Sequence, residues 1–130
     1  MPANTSPIFT LTPVVGAVCI STANTALNGT GTMGTLVTGG ASGTRIEIIE
    51  VDASATVTNG MVRIFLGMGG ATYLWHEITI AAATPSATVP AFNTYWIPPE
   101  PLTLPSGKIL FAATNNAEPF IVFARGGDYL

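Results

Sequence analysis

The chain has 130 residues, a length typical of one domain, and 8% of them are charged, against about 25% in an average soluble domain. Its formal net charge is −3 with only four cationic residues, which excludes the basic surface that nucleic-acid binding requires. The single cysteine, Cys19, excludes an intrachain disulfide and is interpreted as a small buried apolar side chain.

The mean hydropathy of +0.49 comes without an uninterrupted apolar run of 18 residues, so no transmembrane helix is expected. The first residues lack a cationic segment followed by an apolar stretch, so no signal peptide is expected either. A surface rich in threonine and poor in charge is solvated less well than a charged one. We therefore expect an assembled protein, with part of its surface covered by a partner.

Residues 1–13 contain three prolines and show no hydrophobic period, which predicts an extended N-terminal arm rather than a strand within a sheet. A frayed terminus is the alternative. Ile8, Phe9 and Leu11 are too apolar for a free tail, and they favour an arm that lies on a neighbouring subunit. Residues 14–130 are predicted to form the folded domain.

From Val14 onwards the sequence has the features of strands. The segments 44–54 and 71–81 are the clearest, and Asn59-Gly60 predicts a type I′ hairpin turn between two strands. The parity of the apolar residues changes near Ile48 and Ile49, which predicts a β-bulge or a stretch that is buried on both faces. Further strands are predicted at 14–21, 35–39, 108–115 and 119–127, the last with two mostly apolar faces, as in a central strand buried on both sides.

About eight short, evenly spaced strands and no convincing helix predict an all-β fold, an antiparallel β-sandwich of the jelly-roll-like or immunoglobulin-like kind. These two kinds of sandwich share the same sequence pattern, so the strand order stays open at this point. The loops at 22–34 and 84–101 carry turn residues and prolines.

The segment "ATYLWHEITI" holds the only histidine, His76, next to Trp75 and Glu77. In a strand, neighbouring side chains point to opposite faces, so His76 and Glu77 cannot form a catalytic His–carboxylate pair. Alternation places His76 with Leu74 and Ile78 on the more apolar face. We interpret His76 as a packing residue of the core or of a subunit interface.

The remaining candidates for catalysis or metal binding are weak. One histidine and one cysteine cannot supply the usual ligand sets of zinc. The carboxylates Glu47, Glu50 and Asp52 follow Arg45 in one strand, which favours a solvated or ion-paired face. We therefore expect no catalytic residue, no metal site, no cofactor and no enzymatic activity.

Tyr95 and Trp96 are candidates for a contact surface. An aromatic platform for sugars would need both rings on one face, but side chains in an extended segment alternate in direction. We therefore expect a role in protein contacts rather than in sugar binding for these two residues.

A longer pattern resembles a known family. The segments "VTGGASGTRI", "NGMVRIF", "YLWHEI", "TPSATVPA", "LPSG" and "TNNAEPF…ARGGDY", in this order, resemble small β-sandwich structural proteins of tailed bacteriophages, of the head-decoration or cement type. The resemblance covers about residues 36–130. It marks no catalytic residue, and residues 1–35 lie outside it.

The resemblance implies a virion protein made in the bacterial host cytoplasm and bound to the outside of the capsid. Its partner would be the major capsid protein, and the chain would form a homo-oligomer, with a trimer expected, that clamps neighbouring capsid subunits. Contacts with the capsid or with another subunit are then predicted at Ile8, Phe9, Leu11, Tyr95 and Trp96.

Two alternatives to a capsid protein stay open. The chain could be another virion component of the tail, collar or spike, or an adhesion module that binds glycans or receptors. A surface cluster of Tyr73, Trp75, Tyr95 and Trp96 would favour the adhesion module.

Overall fold

The computed structural model describes residues 9–129, and in this range the chain forms nine strands and no helix. Two antiparallel sheets of five and four strands form a β-sandwich. The strands are β1 (Thr12–Ile20), β2 (Gly34–Thr38), β3 (Thr44–Ala53), β4 (Gly60–Gly67), β5 (Thr72–Ile80), β6 (Asn93–Trp96), β7 (Leu102–Leu104), β8 (Ile109–Thr114) and β9 (Phe120–Asp128).

The strand pairs are nested along the chain. β1 pairs with β9, β2 with β8, β3 with β6 and β7, and β4 with β5, all antiparallel. The five-stranded sheet has the order β1-β9-β3-β6, and β7 follows β6 along the same edge of β3. The four-stranded sheet has the order β2-β8-β4-β5. Most connections therefore cross from one sheet to the other.

The core lies between the inner faces of the two sheets. On β9, for example, Phe120, Val122 and Ala124 point inward and are buried, as period-two alternation predicts. The largest fully buried side chains are Phe65, Phe120, Ile46, Ile49, Ile64, Ile80, Leu104, Leu110, Val51, Val57, Val62 and Val122. Burial of these branched and aromatic side chains is the main source of stability.

The predicted parity change in β3 is confirmed as a β-bulge. The register with β9 shifts between Ile46 and Ile48, so that Ile46 is buried before the shift and Ile49 after it. The extra residue is Glu47, whose side chain is exposed. A bulge lets one strand bury side chains of both parities without turning over.

The predicted hairpin at Asn59-Gly60 is wrong. β3 and β4 lie in different sheets, and Gly60 already pairs with Ile80 at the start of β4. Among residues 9–129 no residue other than glycine has a positive φ, so Asn59 does not adopt a type I′ turn. Instead, the Asn59 Oδ1 accepts a hydrogen bond from Ala82 N. This bond connects the segment between β3 and β4 to the chain just after β5.

Strand boundaries differ from the predictions at the proline-rich segments. β1 begins at Thr12 and includes Pro13, and Leu11 N already donates to Asp128 O. Proline is tolerated there because β1 is an edge strand. β6 forms inside the predicted loop 84–101, and β7 forms directly after it, between Pro101 and Pro105. Residues 1–8, with most of the predicted arm and Ile8, lie outside the described range.

Residues 22–33 form an ordered loop over the outward side of the four-stranded sheet. The loop touches β8 where Asn24 N donates to Thr114 O, and it approaches β5 where a Cβ on Gly29 would lie 2.7 Å from Thr72 O. Between these points, Phe65 on β4 is fully buried although it lies outside the main core cluster. The loop therefore shields this side of the sheet from solvent.

Asn24 holds this loop together from inside. Its side chain is buried, its Nδ2 donates to Thr30 O and Thr32 O at 2.9 Å each, and its Oδ1 accepts from Ala26 N at 3.0 Å. Each of these backbone groups would otherwise be left without a partner inside the loop.

We expect Asn24→Ala to lower the free energy of unfolding by about 2 kcal/mol, because it removes the hydrogen bonds that a buried side chain makes to the loop backbone. Chemical denaturation followed by tryptophan fluorescence measures this. Asn28→Ala is the matched control: Asn28 accepts exposed hydrogen bonds from Thr30 in the same loop, and its loss is expected to cost under about 0.5 kcal/mol. Equal effects of the two variants would contradict the role of Asn24.

Within residues 9–129, no helix is long and apolar enough to cross a membrane.

Candidate interaction surface

The outward side of the five-stranded sheet is mostly apolar and is not covered by any other described part of the chain. We call it the open face and define it by the outward side chains of β1, β9, β3 and β6. These are Val15, Ala17, Cys19, Ile48, Glu50, Asp52, Asn93, Tyr95, Ile121, Phe123 and Arg125.

The register of the strands arranges these side chains in rows across the open face. Ala17, Phe123, Glu50 and Tyr95 form the central row. On one side of this row, Val15 lies next to Arg125 and then Ile48. On the other side the row is Cys19, Ile121, Asp52 and Asn93. Apolar side chains dominate β1 and β9, and acidic side chains lie on β3.

The exposed fraction of the side chains shows that this face is accessible to solvent. Val15 is 65% exposed and Tyr95 is 63% exposed, and Cys19 is exposed as well. Ile97, directly after β6, is 61% exposed. Large apolar side chains at this level of exposure on one sheet face mark an interaction surface more often than single scattered ones do.

The charged residues of the open face neutralise each other in part. Arg125 on β9 donates to the carboxylate of Glu50, and Asn93 on β6 donates to the carboxylate of Asp52. The pKa of Glu50 is raised above its ordinary value, first by a side-chain hydrogen bond with Asp52 and then by burial and by the charge of Asp52. Arg125 opposes this shift of the pKa.

The chain before β1 adds apolar area at one end of this sheet. Phe9 is 72% exposed and Leu11 is 60% exposed. Thr10 passes close to β9: a Cβ on Gly127 would lie 2.7 Å from Thr10 Cβ, so Gly127 leaves the space for the passing chain. Phe9, Leu11 and Tyr95 are thus exposed, as a contact role requires, and the contacts themselves stay predictions.

Trp96 does not belong to the open face. Its side chain points to the other side of β6 and stacks on His76 of the opposite sheet, with ring centroids 3.6 Å apart and planes at 8°. Trp75 meets Trp96 edge-on, with centroids 5.0 Å apart at 71°. The three rings therefore pack against each other between β5 of one sheet and β6 of the other.

A β-bulge explains why Trp75 and His76 both reach Trp96. The register of β5 with β4 changes between Phe65, opposite Leu74, and Ile64, opposite His76, which leaves Trp75 as the extra residue. The predicted simple alternation in β5 is therefore wrong at Leu74, which does not share the inward face of His76.

The predicted packing role of His76 is observed in its stacking on Trp96. Glu77 points away from His76 towards Arg63, with Arg63 Nε and Glu77 Oε2 3.6 Å apart. The two neighbours therefore form no His–carboxylate pair, as strand alternation predicts.

The pKa of His76 is lowered from its ordinary value of 6.5, because burial disfavours the charged ring, while the Glu77 carboxylate opposes this shift. A histidine whose pKa is lower in the folded state contributes stability above its unfolded pKa and loses it as the pH falls. We expect the unfolding free energy to decrease below about pH 6.5.

Because the chain has one histidine, a single imidazole NMR signal follows this titration. We expect its midpoint below 6.5, and a still lower midpoint in Glu77→Gln, which removes the carboxylate that raises the pKa. In His76→Gln the stability loss between about pH 6.5 and 5.5 should be smaller than in the parent. A midpoint above 6.5 in the parent would contradict the burial of the ring as the dominant influence on its pKa.

Two further carboxylates, those of Glu47 and Glu118, are engaged in an ion pair and in hydrogen bonds. Arg45 Nε lies 3.1 Å from Glu47 Oε1 on the exposed surface. Glu118 accepts hydrogen bonds from Thr58 N and Thr58 Oγ1 and from Asn116 Nδ2. Residues 9–129 contain no group of three or more histidine, cysteine, aspartate or glutamate side chains placed to hold a metal ion.

The aromatic cluster that would favour an adhesion module does not form. Trp75 and Trp96 meet, but Tyr95 points to the opposite side of β6. The exposed Tyr73 forms no ring contact with this group among the described side chains.

Most of the open face does not follow from the sequence-based predictions. Those predictions place Val15, Ala17 and Cys19 in one apolar strand, and they bury Ile121 and Phe123 on a central strand. In β1 and β9, apolar residues occupy both the inward and the outward face. A strand that is apolar on both faces is the sequence feature that could have indicated the open face. Cys19 is exposed, so its interpretation as buried is wrong.

Comparison with known protein families, with curated proteins and with solved structures finds no match to this chain.

Proposed function

We propose that this protein is a structural component of a tailed-bacteriophage virion, a head-decoration or cement protein that binds the shell of major capsid protein from outside. The sequence resemblance over residues 36–130 supports the virion role. The open face supports a role that depends on surface burial. Neither needs a catalytic group or a cofactor.

The observation that carries the proposal is the difference between the two sheets. The loop 22–33 shields the outward side of the four-stranded sheet, and Phe65 is fully buried there. The five-stranded sheet has no such cover within residues 9–129, and its outward side carries the exposed Val15 and Tyr95 and the half-buried Phe123. We propose that the capsid shell covers it.

The dimensions of the open face set the scale of the contact. Three strands of about 30 Å and the short β6 of about 13 Å, at about 4.8 Å spacing, give ~500 Å² per partner. This is about 1,000 Å² in total, at the lower limit of specific protein interfaces. Association also costs several kcal/mol of lost translational and rotational freedom. We therefore include the N-terminal arm in the contact, with Ile8, Phe9 and Leu11 extending the surface.

The nested strand pairs support a finer fold assignment within the proposal. If β6 and β7 are counted as one interrupted strand, the chain has eight strands in four nested pairs. The pairs are β1 with β9, β2 with β8, β3 with β6 and β7, and β4 with β5. We therefore propose a jelly roll, a fold used by viral capsid proteins and lectins. Fold alone does not assign function, so the virion role rests on the resemblance and on the open face.

Location and assembly follow from the virion role. The protein would be made in the host cytoplasm and would reside on the capsid exterior, as a homo-oligomer for which the resemblance implies a trimer. In a homo-oligomer, binding of one subunit to the shell holds the other subunits close to their own sites. The apparent affinity of the oligomer therefore exceeds that of a single weak contact. Decoration would then increase the resistance of the head to internal pressure.

A binding experiment tests the proposal. Purified protein is mixed with undecorated heads of the phage that carries this gene, and the heads are pelleted. We expect saturable binding at a fixed number of copies per head and a higher temperature of head disruption. No co-pelleting at micromolar concentration would overturn the proposed function.

The arm is tested separately by deleting residues 2–8, which leaves β1 and the hydrogen bond of Leu11 N intact. We expect weaker binding to the heads with unchanged folding. Unchanged binding would remove residues 2–8, Ile8 among them, from the proposed contact.

A further inference from the structure

The two sheets have four edges, and the described structure protects three of them. The edges are β1 and β6 with β7 in the five-stranded sheet, and β2 and β5 in the four-stranded sheet. An edge strand exposes unpaired N–H and C=O groups, so proteins shorten, bulge, charge or interrupt such strands with proline.

Each of the three protected edges carries at least one of these features. β6 and β7 have four and three residues and are separated by a segment with three prolines, Pro98, Pro99 and Pro101. β2 has five residues and a register shift between Thr35 and Val37. β5 has a bulge at Trp75 and carries the charged Glu77. These strands are poor templates for another chain.

β1 has almost none of this protection. It has nine residues, it pairs with β9 without a register shift from Thr12 to Ile20, and none of its residues is charged. Among residues 9–129, no strand pairs with its other edge. Its only proline is Pro13 near its start, which leaves a proline-free run from Val14 to Ile20 with Gly16 inside it.

We propose that the free edge of β1 pairs antiparallel with β1 of a second copy of this chain, around a twofold axis at Ala17. Isologous twofold contacts are the commonest in homo-oligomers. A register centred on Ala17 uses the whole proline-free run, with Val14 opposite Ile20 and Val15 opposite Cys19. Pro13 then lies beyond the end of the new ladder.

The side chains of β1 fit this partner. In the pairing, the outward residues Val15, Ala17 and Cys19 face small apolar residues of the second copy, and no like charges meet at the axis. The two five-stranded sheets become one continuous sheet, and their open faces become continuous too. A β5–β5 pairing would instead bring Glu77 and its symmetry mate into one small area.

Residues 1–8 of the chain are a poorer partner for this edge, since Pro2 and Pro7 lack the N–H groups that a ladder needs. The β1 pairing is independent of the virion role. A twofold contact joins two single chains, or two trimers through one chain of each, so it adds to a threefold assembly rather than replacing it.

The mass of the protein in solution, from light scattering on a sizing column, tests the pairing. We expect an even multiple of 13.4 kDa for the parent chain. Ala17→Lys places two ammonium groups beside the axis, and the mass should fall to half of the parent value. Val89→Lys, at an exposed loop position, is the matched control and should leave the mass unchanged.

Disulfide trapping tests the register. In a Cys19→Ser background, Ala17→Cys should form a covalent dimer on oxidation, since directly opposite residues in a ladder have Cβ atoms about 5 Å apart. Val89→Cys in the same background should not. A monomer, or a trimer whose mass Ala17→Lys leaves unchanged, would overturn the proposal. So would a monomer that dimerises once residues 2–8 are deleted, because the edge would then be covered by its own N-terminal segment.

Discussion

Phe123→Asp is expected to weaken binding to phage heads by more than about 100-fold. Phe123 lies in the central row of the open face, between Ala17 and Glu50. A carboxylate there would be buried against the shell beside the carboxylate of Glu50, and the two would have to share the single cation of Arg125. About 2.8 kcal/mol of such a cost already corresponds to a 100-fold loss.

Tyr73→Asp is the matched control for this experiment. Tyr73 is 58% exposed and also aromatic, but it lies on β5 of the other sheet. We expect its binding to stay within about threefold of the parent, since the shell does not cover it. Binding is measured by head pelleting, and the fold of each variant by circular dichroism. Equal losses in the two variants would show that the open face is not the contact surface.

Trp96→Ala is expected to lower the free energy of unfolding by about 3 kcal/mol. The ring of Trp96 bridges the sheets through His76 and Trp75, so its removal leaves a gap where β5 and β6 meet. Truncation of a well-packed tryptophan typically costs about 3–5 kcal/mol, and the partial exposure of Trp96 places it at the lower end. Urea denaturation followed by circular dichroism measures the loss.

Tyr95→Ala is the control, since Tyr95 is the neighbouring residue on the same short strand but is 63% exposed on the open face. Its loss of stability should stay under about 1 kcal/mol. In Trp96→Ala the pKa of His76 should also rise towards 6.5, because the ring loses the burial that lowers it. A Tyr95→Ala variant as unstable as Trp96→Ala would contradict the bridging role.

Much of the fold could be predicted because the signals of strands and turns are local in the sequence. Alternation in 44–54 and 119–127 marks strands that the structure contains. The bulge in β3 could be predicted as well, because a change of apolar parity within one strand requires either an extra residue or burial on both faces.

Pairing between distant strands could not be predicted in the same way. Asn59-Gly60 has the local chemistry of a hairpin, but β3 and β4 belong to different sheets, and tertiary packing overrides the local preference. The short strand β7 forms between prolines because it needs only three residues and lies at an edge.

The candidate surface could be predicted only in part, for a related reason. Apolar side chains indicate burial, but a single sequence does not reveal which face is covered by its own loops and which by a partner. Phe65 and Phe123 are both aromatic residues of central strands. Only the course of the loop 22–33 separates the shielded side of one sheet from the open face of the other.

Electron cryo-microscopy of phage heads incubated with the purified chain tests the proposed capsid contact most directly. We expect regular density on the outside of the shell, fitted by the β-sandwich, with the open face of the five-stranded sheet against the capsid protein. Heads without added density, or a bound sandwich with its open face turned to solvent, would contradict the proposed contact.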